Sequence, residues 1–183
     1  MKAIRKILIL LSFAIVCFLL LNSCSVLGIY GNSAAGYSRR IINAINEQNS
    51  AAIEEMFSSD ILETQSEYSV TDLLSAFPKG VKMVGNVVSG STSESIDDGH
   101  SIKEINWYFE VECQDTKQLY CFAFGACVKD TKNSEQEGIT HLIINSMEQE
   151  EECVEWWNSF ENMDDRPTGI YLFGKEKELL KDG

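Results

Sequence analysis

The hydrophobic period of the chain changes near residue 81, and this bounds what it can fold into. From Ile102 to Cys113, Ile105, Trp107, Phe109 and Val111 alternate with Glu104, Asn106, Glu110 and Glu112. A period of two sets successive side chains on opposite faces, so this segment reads as a half-buried strand. Leu119–Val128 repeats the pattern, with Tyr120, Phe122 and Phe124 on one face and Cys121, Ala123 and Gly125 on the other. Val81–Val88 is rich in β-branched residues and reads as a strand, which the polar Ser89–Ile96 extends as an exposed edge. Asp98-Gly99 signals a tight hairpin. Ile139–Met147 gives a fourth strand, and the charged stretch Lys129–Gly138 before it reads as a loop.

Parity sharpens the pairing. An even-numbered turn after Cys113, such as Asp115-Thr116, sets Trp107, Phe109 and Val111 opposite Phe124, Phe122 and Tyr120. All the large residues then share one face, whereas an odd turn sets Ala123, Cys121 and Gly125 against them. The even turn is expected.

Before residue 81 the period is helical. Tyr37, Ile41, Ile42 and Ile45 lie on one face, with Arg39, Arg40 and Glu47 on the other. Ile53, Met56 and Phe57 continue a second helical stretch that Ser58-Ser59-Asp60 ends. Val70, Leu73, Leu74 and Phe77 make an i, i+3, i+4, i+7 set. Ser69 or Thr71 caps that helix, and Pro78 with Gly80 stops it. Helices followed by antiparallel strands make an α+β layout with about four main strands.

The N-terminus reads as an export signal. Lys2, Arg5 and Lys6 precede an apolar run, Ile7–Leu21, interrupted only by Ser12. The run is about 15 residues, short of the ~20 that a spanning helix needs. Leu21-Asn22-Ser23-Cys24 then resembles a lipobox, with an aliphatic residue at −3, a small one at −1 and the cysteine. That resemblance implies cleavage before Cys24, a diacylglycerol thioether on its sulfur, and a lipid anchor facing the outside of the cytoplasmic membrane. An uncleaved signal anchor and a plain secretory signal are the alternatives. Residues 24–36 read as a tether and 37–183 as one domain, with an aromatic and acidic insert at about 148–168.

Cleavage removes three of fifteen basic residues and none of twenty-eight acids, leaving the mature chain at −16. Such a surface repels nucleic acid and anionic head groups. Cys113, Cys121, Cys127 and Cys153 remain, and exported cysteines permit disulfides; at most one is expected. No CxxC spacing and no histidine at zinc-finger distance is present, so no metal is expected.

The stretch "YSRRIINAINEQNSAAIEEMFSSD" resembles the opening helices of the nuclear-transport-factor-2-like superfamily, in which a curved antiparallel sheet wraps those helices into a cone. More narrowly, "IDDGHSIKEINWYFEVEC", "YCFAFGACVKD", "GITHLIINS" and "TGIYLFG" resemble a domain-of-unknown-function family of small lipoproteins from Gram-positive gut bacteria. The Cys153–Arg166 stretch is more aromatic and acidic than that family implies. None of these segments is a catalytic signature, so the resemblance bears on fold and location.

In enzymes of the cone superfamily, the pocket between sheet and helices holds an Asp/His pair or a Tyr/Asp set. Here His141, in the fourth strand, is the candidate base. Leu142 and Ile144 turn it outward, while Ile139 and Ile143 argue the reverse. His100 reads as exposed in the Asp98-Gly99 turn, and Glu110 and Glu112 as solvent-facing. No Gly-rich phosphate loop, GxSxG or HExxH occurs, and Asp97, Asp98 and Glu104 do not match a calcium loop. Trp107, Phe109, Tyr120, Phe122 and Phe124 line either a pocket or a core. Trp156 and Trp157 are adjacent, so one of them is expected at a pocket mouth or partner surface. The resulting expectation is a non-enzymatic tethered module that binds a small ligand or a protein partner, with no cofactor. The alternatives are an isomerase- or hydratase-type enzyme using the pocket, and an immunity or envelope-assembly interaction protein.

Overall fold

The computed structural model describes residues 33–59, 61–64, 67–85, 89–149 and 168–173. The expected export signal, Cys24, Cys153, Trp156 and Trp157 lie outside the described residues. Among the described residues four α-helices come first: α1 (Ala34–Asn46), α2 (Ser50–Glu54), α3 (Ile61–Thr64) and α4 (Val70–Ala76). Six strands follow: β1 (Val81–Met83), β2 (Ser89–Asp97), β3 (His100–Cys113), β4 (Leu119–Asp130), β5 (Gly138–Ser146) and β6 (Gly169–Phe173). The architecture is α+β, with one mixed, open sheet.

The starts of α1, α2 and α4 each have a side-chain acceptor for an otherwise orphaned amide. Ser33 Oγ accepts from Gly36 N–H, and Asn49 Oδ1 from Ala52 N–H. Ser69 and Asp72 form a reciprocal capping box on α4, which selects Ser69 over Thr71. Helix α1 therefore begins at Ala34, inside the expected tether. It buries Tyr37, Ile41, Ile42 and Ile45. Met56 and Phe57 lie beyond α2 rather than in a helix. Phe57 forms a parallel bridge with Ile139, and Met56 O accepts from Ile139 N–H at 2.7 Å. Their spacing looked helical because both side chains are buried, at 4% and 6% exposure. Here the backbone is instead hydrogen-bonded to the sheet.

The sheet runs β1-β3-β4-β5-β6, with β2 also pairing β3. Asp98 (φ 46) and Gly99 (φ 79) close the β2–β3 hairpin, as positive φ at both central turn residues requires. Strands β3 and β4 pair with Trp107 opposite Phe124, Phe109 opposite Phe122 and Val111 opposite Tyr120. The even-turn register is the one found. Two irregularities, between Lys103 and Glu104 and between Gly125 and Ala126, add local bend and twist.

The expectation of about four antiparallel strands is corrected at two places. Val81–Val88 and Ser89–Ile96 are not one strand: β1 ends at Met83, a last bond runs from Val84 N–H to Glu110 O, Gly85 turns at φ 77, and β2 starts afresh at Ser89. The other correction is β6, which pairs parallel with β5 from His141–Gly169 to Asn145–Phe173. A parallel neighbour needs a crossover of a dozen or more residues, and 147–168 are long enough to supply it. Strand β6 did not declare itself by alternation because both its faces are buried: Ile170 and Leu172 on one, Tyr171 on the other.

Candidate functional site

The face of the sheet toward the helices is filled. Phe109, Tyr120 and Phe122 are 0% exposed and Phe124 is 1%. Their rings lie 5.4 Å (Phe109–Phe122) and 6.3 Å (Phe109–Phe124) apart, and Phe77 of the helical layer sits 5.5 Å from Phe122. These are tilted and edge contacts, the arrangement aromatic quadrupoles favour. Tyr120 Oη donates to Gln118 Oε1 at 2.7 Å, which satisfies the phenol. Trp107 differs: it is half-buried at the rim, and its indole lies over Gly90, where an added Cβ would come within 2.5 Å of Trp107 Cδ2.

Tyr37 joins this interior from α1, 5.7 Å from Phe124. Burial pushes its phenol up, and Arg40, with Cζ 4.4 Å from the ring centroid, partly opposes that. Neither residue stood out in the sequence as more than one face of a helix. A raised phenol under a guanidinium is a packing contact that desolvates the tyrosine.

His141 lies on the other face of the sheet, since its neighbours Leu142 and Ile144 point inward. Its ring stands over Gly125: a Cβ built there would meet His141 Cε1 and, at 2.7 Å, Asn106 Oδ1. Thr140 Oγ1 is 3.3 Å from Nδ1. Cross-strand register explains the trio, because Asn106, Gly125 and His141 are opposite one another on β3, β4 and β5. Glu110 and Glu112 share this outer face, and Glu112 pairs with Lys117 at 3.2 Å.

His100 corrects the expectation of an exposed turn residue. It is the first residue of β3, 28% exposed, and its Nε2 is 2.8 Å from Asp130 Oδ1. The same oxygen accepts from Lys132 N–H and Asn133 N–H, both at 2.8 Å. The Asn133 amide, the His100 side chain and the Lys132 amide hold the Asp130 carboxyl below its usual range. Thr131 N–H donates to Ser101 O, and Ser101 N–H to Thr131 Oγ1. The cluster locks the β4 exit onto the β3 start. Thirty residues separate His100 from Asp130, so no local pattern announces the pair; only the strand register does.

The cysteines are kept apart. Cys113 is buried on the core side, while Cys121 and Cys127 lie on the outer face six residues apart, about 20 Å at the strand rise. These three cannot bridge one another. Burial, with Asp130, Glu104 and Glu137 nearby, pushes the Cys127 thiol up, which makes it a poor nucleophile. No group of three or more His, Cys, Asp or Glu side chains able to hold a metal occurs among the described residues. A groove of about 370 Å³ between α2 and α4, lined by Glu54, Ser58, Leu62 and Val70, holds one carboxylate and no histidine.

Fold and site together define a small α+β domain with a packed aromatic interior and a second, smaller apolar cluster of Ile143 and Tyr171 on the outer face of the sheet. Residues 40–150 match the family described as Domain of unknown function (DUF5104), and the chain belongs to that family. No curated protein and no solved structure matches it. The matched residues run from α1 through β5 and stop short of Trp156, Trp157 and β6. No helix among the described residues is long and apolar enough to cross a membrane.

Proposed function

We propose that the chain is a lipid-anchored extracytoplasmic module of the nuclear-transport-factor-2-like cone type that works by binding a partner protein at its surface. The observation that carries the binding reading is the filled interior. The space that holds substrate in the enzymes of that superfamily is taken up here by Phe77, Phe109, Phe122 and Phe124. His141 stands on the opposite face of the sheet and His100 is committed to Asp130. The lipobox-like Leu21-Asn22-Ser23-Cys24 supports the anchor, and helices on one side of a bulged sheet support the cone. Immunity and envelope-assembly factors are proteins of this kind.

The test is expression of the full chain with its own leader in a Gram-positive host, with in-cell cross-linking before purification. The anchored chain is expected in the membrane fraction with a cross-linked protein, and Cys24→Ala is expected to be released or left unprocessed. Membrane retention and normal processing of Cys24→Ala would overturn the anchor. Native mass spectrometry that finds a small molecule bound at full occupancy, with no protein cross-linked, would overturn partner binding.

A further inference from the structure

We infer that β2 is a self-association edge, through which two copies join their sheets across a two-fold axis at Ser93. Strand β2 pairs only with β3 among the described strands, and residues 90–97 are all exposed, so no described residue pairs with its other edge. The register is unbroken from Ser89–Tyr108 to Asp97–His100. Such an edge presents a row of unpaired N–H and C=O groups, which proteins ordinarily blunt with lysine, proline, a bulge or a short strand. Strand β2 is nine residues long and has no lysine, proline or bulge; its two charges are Glu94, which accepts from Ser101 Oγ, and Asp97 at the strand end.

The side chains choose the occupant. In an antiparallel pair centred on Ser93, Ser89 meets Asp97 of the second copy, Gly90 meets Ile96, Ser91 meets Ser95 and Thr92 meets Glu94. No like charges oppose one another, whereas a centre one residue later sets Glu94 against Glu94. Gly90 and Ile96 lie on the core side, because Gly90 pairs with Trp107 and Thr92 with the buried Ile105. Ile96, 72% exposed in the single chain, thus lands on Gly90 of the second copy, against the Trp107 indole that covers it. One contact would bury the most exposed large apolar side chain among the described residues and the half-open tryptophan. It would also close about eight to ten backbone hydrogen bonds, the number a nine-residue antiparallel pair exchanges. The chain carries −13, so the copies repel at long range. That repulsion is screened beyond about 8 Å at physiological salt, so pairing strengthens as salt rises.

The register makes the test specific. Opposed cysteines at Ser93 sit side by side on the outer face, within disulfide reach of each other. Full-length Ser93→Cys, in isolated membranes under mild oxidation, is expected to give a covalent dimer above the wild-type background, with a yield that grows with salt. Ser91→Cys is expected to give none, and Ser91→Cys with Ser95→Cys to restore it. Adding Ile96→Asp to Ser93→Cys should lose the dimer. A monomeric Ser93→Cys whose new thiol still reacts with maleimide would overturn the inference. Equal yields at positions 91, 93 and 95 would also overturn it, since they signal random collision. A cross-link from position 93 to a different protein would show that another chain takes this edge.

Discussion

Phe109 and Tyr108 are neighbours in sequence and similar in size, yet truncating them should differ several-fold in cost. Phe109 is 0% exposed and packs on Phe122 and Phe124, whereas Tyr108 is 40% exposed on the outer face. Phe109→Ala removes a ring from the centre of a packed interior, a change that costs about 3–5 kcal/mol through lost transfer energy and a residual cavity. Tyr108→Ala removes a partly solvated ring and should cost below ~1 kcal/mol. Against a total stability of about 5–15 kcal/mol, the first is a large fraction and the second a small one. With a urea dependence of ~2 kcal/mol per molar, Phe109→Ala should lower the unfolding midpoint by about 2 M and Tyr108→Ala by less than ~0.5 M. Equilibrium urea unfolding followed by tryptophan fluorescence and far-UV circular dichroism measures both. Equal midpoint shifts, or a larger one for Tyr108→Ala, would refute the assignment of core and outer faces, and with it the even-turn register.

Three further outcomes follow from other parts of the molecule. Gly138→Ala should destabilise by about 2–4 kcal/mol in the same urea experiment: Gly138 has φ 136, and a Cβ would lie 2.5 Å from Ser58 N and 2.7 Å from Phe57 C, backbone atoms that cannot swing away. The carboxyl of Asp130 is depressed below its ordinary 3.8, so its stabilisation is present above that value and is lost as pH falls through the lower, folded value. Wild type should therefore lose thermal stability more steeply than Asp130→Asn as pH falls below 3.8, and parallel curves would contradict the role given to the pair. Cys113 is 0% exposed and donates to Asp115 Oδ1 at 2.8 Å, so alkylation of the folded chain should spare it until urea is added; rapid native labelling at Cys113 by peptide mass mapping would count against the packing.

Much of the fold was legible because its long strands are buried on one face only. Alternation in β3 and β4, with the parity of one turn, was enough to set Trp107, Phe109 and Val111 against Phe124, Phe122 and Tyr120. Strand β6 was not legible, since a strand buried on both faces loses its alternation, and its parallel partner is chosen across 22 intervening residues of chain, 147–168. Met56 and Phe57 misled because side-chain spacing reports burial, not which backbone the amides bond to. The export-signal reading of residues 1–23 rests on charge and apolar length alone and calls on no tertiary partner.

By itself, then, the sequence determined the class of elements, the large-residue face of the central strands and the lipobox-like Cys24, because each depends on local periodicity or a contiguous motif. Only the tertiary structure decided how that face is used. Whether five aromatic residues line a pocket or fill a core depends on what helices α1 and α4 bring against them. Tyr37 and Phe77 fill the space, leaving Trp107 at the rim. The same holds for His100 and Asp130, thirty residues apart, which meet because the antiparallel pairing of β3 and β4 brings the start of one beside the end of the other. A contact between distant segments is a property of the packed chain, and no window of sequence contains both partners.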